Sequence, residues 1–146
     1  MISIITVTYN NFDDLHRTLD SLEKIDGIEK VVVNGGECAK TKEYLRDFDG
    51  IAISEPDKGI SDAFNKGVYR SSGDCVMFLN SGDLLLSRQY LQEAEKIIKF
   101  NPEISFVHSD LVFEDRISGD IRLTALQPFF FRAPPLEGVC HIIINP

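Results

Sequence analysis

Four short apolar runs, Ile2–Thr8, Val31–Val33, Ile51–Ile53 and Cys75–Leu79, each end in a polar cluster and lead into a helix-spaced stretch. The first run is β-branched without strict alternation, the pattern of a parallel strand buried on both faces. After it, Asn10 or Asn11 can cap a helix whose apolar stripe is Leu15, Leu19 and Leu22, with Gly27 as its end. Thr41–Phe48 reads as a short second helix. Ile60–Arg70 places Ile60, Ala63, Phe64, Gly67 and Val68 on one face of a third. Ser87 is an N-cap position for a fourth, running through Phe100 and turning Leu91, Ala94, Ile97 and Ile98 inward. Strand alternating with helix in this way predicts an α/β fold: an open, mostly parallel sheet with helices on both faces.

Beyond Pro102 the pattern changes. Phe106–Phe113 and Ile121–Leu123 read as a hairpin around Ser118-Gly119-Asp120. In open parallel sheets, ligands bind outside the carboxyl ends of the strands. Those ends are Tyr9-Asn10, Asn34-Gly35, Glu55-Pro56-Asp57 and Asn80-Ser81-Gly82-Asp83. All four are polar, and the fold would bring them to one crevice.

Composition narrows what the crevice can hold. At 146 residues and 43% hydrophobic content, the chain has room for one domain with a sizeable core. Its formal net charge of −8 argues against nucleic-acid binding, which needs an excess of basic groups to displace phosphate counterions. An anionic small molecule stays compatible, because a bound divalent cation reverses the local sign. Cys38, Cys75 and Cys140 have neither zinc-ligand nor disulfide spacing, which suits a reducing cytoplasm. MISIITVTYNN lacks the regions of a signal peptide, and no run approaches the ~20 apolar residues needed to span a bilayer.

The first strand is followed by TYNNFDD rather than G-x-G-x-x-G, so a nicotinamide or flavin site is not expected. Neither a phosphate-binding G-x-x-x-x-G-K-[ST] loop nor a G-x-S-x-G nucleophile elbow is present. Asp83, behind a glycine at the end of a buried run, is instead placed to hold a hard cation. Mg²⁺ or Mn²⁺ commonly takes one or two carboxylates, and fills its other positions with waters and phosphate oxygens.

The succession ISIITVTYNN, VVVNGG, SEPDKGISDAFNKG and FLNSGD resembles the nucleotide-sugar half of family-2 glycosyltransferases of the GT-A fold, over roughly residues 1 to 115. The resemblance implies transfer of a sugar from a nucleoside-diphosphate sugar to an acceptor hydroxyl, with inversion, in bacterial surface-polysaccharide synthesis. It assigns Thr8, Tyr9 and Asn10 to the wall around base and ribose, and Asn34 to a base-contacting position where the family usually carries Asp. Asp57 becomes a base- or ribose-facing residue with Lys58 beside it. Gly59, Asn65 and Gly67 match a donor-pocket motif in which Phe64 stands where the family has Arg. Lys66 reads as an exposed partner of Asp62. In the metal motif Asn80 and Gly82 replace the first carboxylates, Ser81 lines the donor, and Asp83 alone stays acidic, with Mg²⁺ or Mn²⁺ as cofactor.

By the same resemblance, the base that deprotonates the acceptor falls to Asp110 in HSDLVFED or Glu137 in LEGVCH. The domain, 1–146, would be a single nucleotide-sugar-binding unit cut short after about residue 125, lacking its acceptor half. The implied partners are a nucleoside-diphosphate sugar, with UDP ahead of GDP, and a saccharide or lipid-linked acceptor. Phe129-Phe130-Phe131 and Pro134-Pro135 offer apolar surface for self-association or for a membrane-borne acceptor, at the inner face of the membrane. The reading from another class is a non-catalytic nucleotide-sugar-binding module.

Overall fold

A computed structural model describes residues 1–104, 106–115 and 118–132. Its elements are β1 (Ile2–Thr8), α1 (Phe12–Leu22), β2 (Ile28–Asn34), α2 (Ala39–Tyr44), β3 (Ile51–Ser54) and α3 (Ile60–Arg70). They continue with β4 (Cys75–Phe78), α4 (Arg88–Phe100), β5 (Phe106–Glu114) and β6 (Ile121–Arg132). The sheet runs in the order β3-β2-β1-β4-β6-β5. The first four strands in that order are parallel, whereas β6 is antiparallel to both β4 and β5. The α/β architecture with a hairpin near the C-terminus is therefore present.

Period-two alternation in the central strands divides the core. Ile2 and Ile4 of β1, with Val32, Cys75 and Met77, pack against Leu15, Leu19 and Leu22 of α1 and against Leu91, Ala94 and Ile98 of α4. Ile5, Val31, Val76 and Phe78 point the other way, onto Phe64 of α3. Burying each aliphatic side chain of this kind contributes about 1.5–3 kcal/mol. Gly67 lets α3 sit close on β1, because a Cβ there would overlap the Ile5 side chain.

Several boundaries differ from the sequence expectation, each for a local reason. α1 stops at Leu22 rather than Gly27; Ile25 N–H bonds the Leu22 carbonyl, and Gly27, at φ +77°, turns the chain into β2. β2 begins earlier, at Ile28, because Ile28 pairs with Ile2. α2 spans 39–44 and leaves Phe48 outside the helix, where its ring meets Tyr44. Ile60 and Ile97 were expected inside but are 53% and 40% exposed. Ile60 is the first residue of α3, and Ile97 falls off the stripe made by Leu91, Ala94 and Ile98. β6 extends well past Leu123, because it pairs with β4 as well as β5.

From β1 the chain moves outward through β2 to β3, then returns to place β4 on the other side of β1. That reversal makes the β1/β4 gap the topological switch point, where open α/β sheets bind ligands.

Candidate functional site

Strand register brings the polar tips level. Thr8 pairs with Asn34, and Asn34 with Ser54. Beyond Phe78, the Leu79 and Ser81 amides bond the carbonyls of Ile5 and Val7, so the tip after β4 stays beside β1.

On the β1–β2–β3 side the polar groups largely bond one another. Asn10 adopts φ +51°, a left-handed conformation that Asn tolerates, and its Oδ1 accepts from the amides of Glu37 at 2.8 Å and Cys38 at 3.0 Å. Thr8 is buried beneath this corner. Asn34 has no solvent exposure. Its Nδ2 donates to Ser54 Oγ at 2.9 Å and the Gly36 carbonyl at 3.1 Å, and its Oδ1 accepts from Gly36 N–H at 3.0 Å. The amide expected to read a base is thus turned inward to build the loop. Asp57 is half-buried, accepts the Gly59 amide at 2.8 Å, and lies over Gly35, where any Cβ would overlap its carboxylate. Tyr9 stands 70% exposed above them.

The segment after β3 shapes the start of α3. Gly59 takes φ +116° with open space around it. Lys58 is exposed, and its amide donates to Asp62 Oδ2 at 2.9 Å, which lowers the Asp62 pKa. Lys66 does more than pair with Asp62. It reaches Glu55 at 3.0 Å and the Pro56 carbonyl at 2.6 Å, and the bond to Glu55 raises its pKa. Asn65 is half-buried on α3. Phe64, where an Arg was the family expectation, is a core residue stacked at a tilt on Phe78 with centroids 4.5 Å apart.

The β4 tip is built differently, from α1. Thr18 is fully buried; its Oγ1 accepts the Gly82 amide at 2.8 Å and lies 3.1 Å from the Asp14 carbonyl. Ser81 Oγ approaches the Asn11 carbonyl at 3.4 Å, and Asn11 Nδ2 donates to Asp14 Oδ2 at 2.9 Å. Gly82, at φ +105°, supplies a backbone shape that side-chain-bearing residues rarely adopt. Asp83 is exposed, with Asn80 Nδ2 3.3 Å from its Oδ2. Asn80 Oδ1 is shielded from solvent and has no hydrogen-bond partner among the described residues.

This donor set fits a hard cation only in part. Asp83 and Asn80 supply oxygens, but among the described residues no three His, Cys, Asp or Glu side chains converge as a ready-made cage. A cation here would complete its shell with phosphate oxygens and water.

β5 runs parallel to β4. Phe106 and Val76 both pair with Phe131, which brings Asp110 near the level of the β4 tip, two strands away. The β5–β6 pairing is irregular between Ser109 and Leu111. Glu137 lies outside the described residues. At the amino ends of β1 and β2, away from the polar tips, a cavity of 30 Å³ near Ile2, Gly27 and Arg88 is far too small for a nucleotide. Sequence reasoning missed Thr18, and placed Gly35 at a strand tip without seeing that Asp57 packs over it. The Gly-Gly pair after β2 was a signal for that close approach; nothing local marked Thr18.

The glycosyl transferase family 2 model matches residues 3–140. The chain belongs to that family. A glycosyltransferase of Mycobacterium tuberculosis, itself uncharacterised, is 34% identical over 130 residues, covering 82% of this chain and 50% of its own length. Glycosyltransferase GlyA of Streptococcus pneumoniae is 30% identical over 133 residues, covering 82% of this chain and 19% of its own. This chain therefore spans half the length of its mycobacterial relative, or less of others. Among solved structures, the mannosyltransferase PcManGT of Pyrobaculum calidifontis, in complex with GDP-Man and Mn²⁺, superposes with TM-score 0.65 at 21% identity. The match covers 80% of this family-2 chain and 36% of PcManGT. TarS of Staphylococcus aureus, residues 1–349 with UDP-GlcNAc, gives TM-score 0.57 at 22% identity, covering 69% and 32%. The GT-A fold is shared. Among the described residues no helix is long and apolar enough to cross a membrane.

Proposed function

We propose that this chain is the donor-binding side of a glycosyltransferase that takes a sugar from a nucleoside-diphosphate sugar, with UDP ahead of GDP, and passes it to an acceptor hydroxyl with inversion. The observation that carries this reading is the β1/β4 switch point. There Asp83 is displayed at a tip held beside β1, while Asp57 and Tyr9 flank the neighbouring tips. Sugar nucleotides in the PcManGT and TarS complexes support the ligand class.

In this reading Asp57 accepts hydrogen bonds from ribose or base, the Tyr9 ring offers a stacking face, and Lys58 adds positive charge near the diphosphate. Asn34 and Asn10 act through the loop shape they hold rather than by touching the base. Asp83, with Asn80 beside it, would hold Mg²⁺ or Mn²⁺; when bound, the ion offsets charge on the departing diphosphate. Asp110 is the candidate base, taking the acceptor proton as the hydroxyl attacks the anomeric carbon from the face opposite the leaving group. Glu137 is the second candidate. The acceptor is a saccharide or lipid-linked saccharide of surface-polysaccharide synthesis, met on the cytoplasmic face of a membrane. The Phe129-Phe130-Phe131 and Pro134-Pro135 stretch of the sequence is the candidate for that contact or for self-association.

Calorimetric titration of the purified chain with UDP-GlcNAc and GDP-mannose, each with Mn²⁺ and with a chelator, tests the reading. Saturable binding of at least one, tighter with metal, is expected. Absence of binding to a panel of nucleotide sugars would refute it.

A further inference from the structure

α1 carries two buried-side hydroxyls one turn apart, and both reach the same distant loop. Thr18 Oγ1 accepts the Gly82 amide at 2.8 Å. Ser21 Oγ accepts the Leu85 amide at 3.2 Å and donates to the Thr18 carbonyl at 2.6 Å. The two amides bracket Asp83 in the chain. Among the described residues, Asp83 itself has only a turn bond from its amide to the Asn80 carbonyl, and the long contact from Asn80 Nδ2. The last residue of β4 is Phe78, so the strand ladder does not fix residues 82–85. Gly82, at φ +105°, adds backbone freedom at this tip, because glycine populates positive φ as readily as negative.

From this we infer that Thr18 and Ser21 are positioning residues: together they clamp the backbone on either side of Asp83 and set the direction in which its carboxylate meets the diphosphate-bound cation. The inference rests on the proposed role of Asp83. Its chemistry is that of a supporting shell. A carboxylate on a loop free to wander loses cation affinity because the productive orientation must be bought anew at each binding event. Thr18 contributes more than Ser21, because it is fully buried and the Gly82 amide would be left unsatisfied without it.

The test compares wild type, Thr18→Val, Thr18→Ser and Ser21→Ala by calorimetry of UDP and GDP, with Mn²⁺ and with a chelator. Thr18→Val keeps shape but removes the acceptor. It is expected to lose about tenfold of the metal-dependent gain in affinity, with chelator-condition affinity unchanged. Thr18→Ser restores the gain, and Ser21→Ala loses a smaller part of it. A folded Thr18→Val with the full gain overturns the clamp while leaving the Asp83 reading intact. A wild type that shows no metal-dependent gain overturns both. Should Thr18→Val fail to fold, amide exchange in the wild type decides: protection of the Gly82 and Leu85 amides supports the clamp, and exchange at the rate of an open loop refutes it.

Discussion

The corner of β1, β2 and β3 and the tip after β4 have similar composition, Asn, Gly and Asp in short order, yet they treat those residues in opposite ways. At the first, Asn34 is wholly buried with its amide engaged on three sides, and Asn10 ties β1 to the loop after β2. At the second, the carboxylate of Asp83 is exposed, and the structural bonds come from α1 through the backbone. A polar residue at a strand end can therefore build the crevice or face it. Burial and hydrogen-bond satisfaction tell the two apart where residue type does not.

Mutations can break this contrast. The largest effect is expected at Asn34. Asn34→Ala leaves the Gly36 amide and Gly36 carbonyl without their buried partner, and should cost about 2–3 kcal/mol of stability by urea unfolding. If Asn34 instead faced a base, stability would hold and nucleotide affinity alone would fall. Asp57 occupies the intermediate case, half-buried but still presenting a carboxylate. Asp57→Ala should weaken UDP or GDP binding by about 1–3 kcal/mol in calorimetry, the scale of a lost charged hydrogen bond, with the fold intact. An unchanged affinity would move Asp57 to the construction side of the comparison.

The smallest effect belongs to Lys66. Its pKa is raised by the bond to Glu55, so its contribution is complete below the ordinary lysine value of 10.5 and fades as pH climbs through the raised one. Lys66→Met should lower stability only slightly at neutral pH, since solvent screens pairs at the surface. The difference from wild type should shrink in strongly alkaline solution. A difference that instead grows there would assign Lys66 a role outside its bonds to Glu55 and Asp62.

Apolar runs and helical stripes made the sheet and its helices legible in the sequence, because strands buried on both faces, such as β1 and β4, carry an unbroken apolar signal. The extent of β6 was not legible, since its length is set by partners on both sides rather than by its own residues. At the site, sequence located the four tips but could not say which asparagine turns inward; Asn34 and Asn80 look alike until the Gly36 loop and Ser54 are in place. Thr18 was hidden for a further reason. It sits between Leu15 and Leu19 as an unremarkable helix residue, and its partner Gly82 is 64 residues away.

The central claim is that the exposed carboxylate after β4 couples a cation to a nucleotide diphosphate. Titrating UDP and GDP into wild type and Asp83→Asn, with Mn²⁺ and with a chelator, tests it most directly. Mn²⁺ should tighten binding to the wild type and have little effect on the variant, because an amide is a poorer ligand for a hard cation. Stability of the variant should stay within about 0.5 kcal/mol of wild type, as for other exposed positions. Metal-dependent tightening that survives Asp83→Asn, together with a loss of stability, would contradict the claim and make this tip a turn.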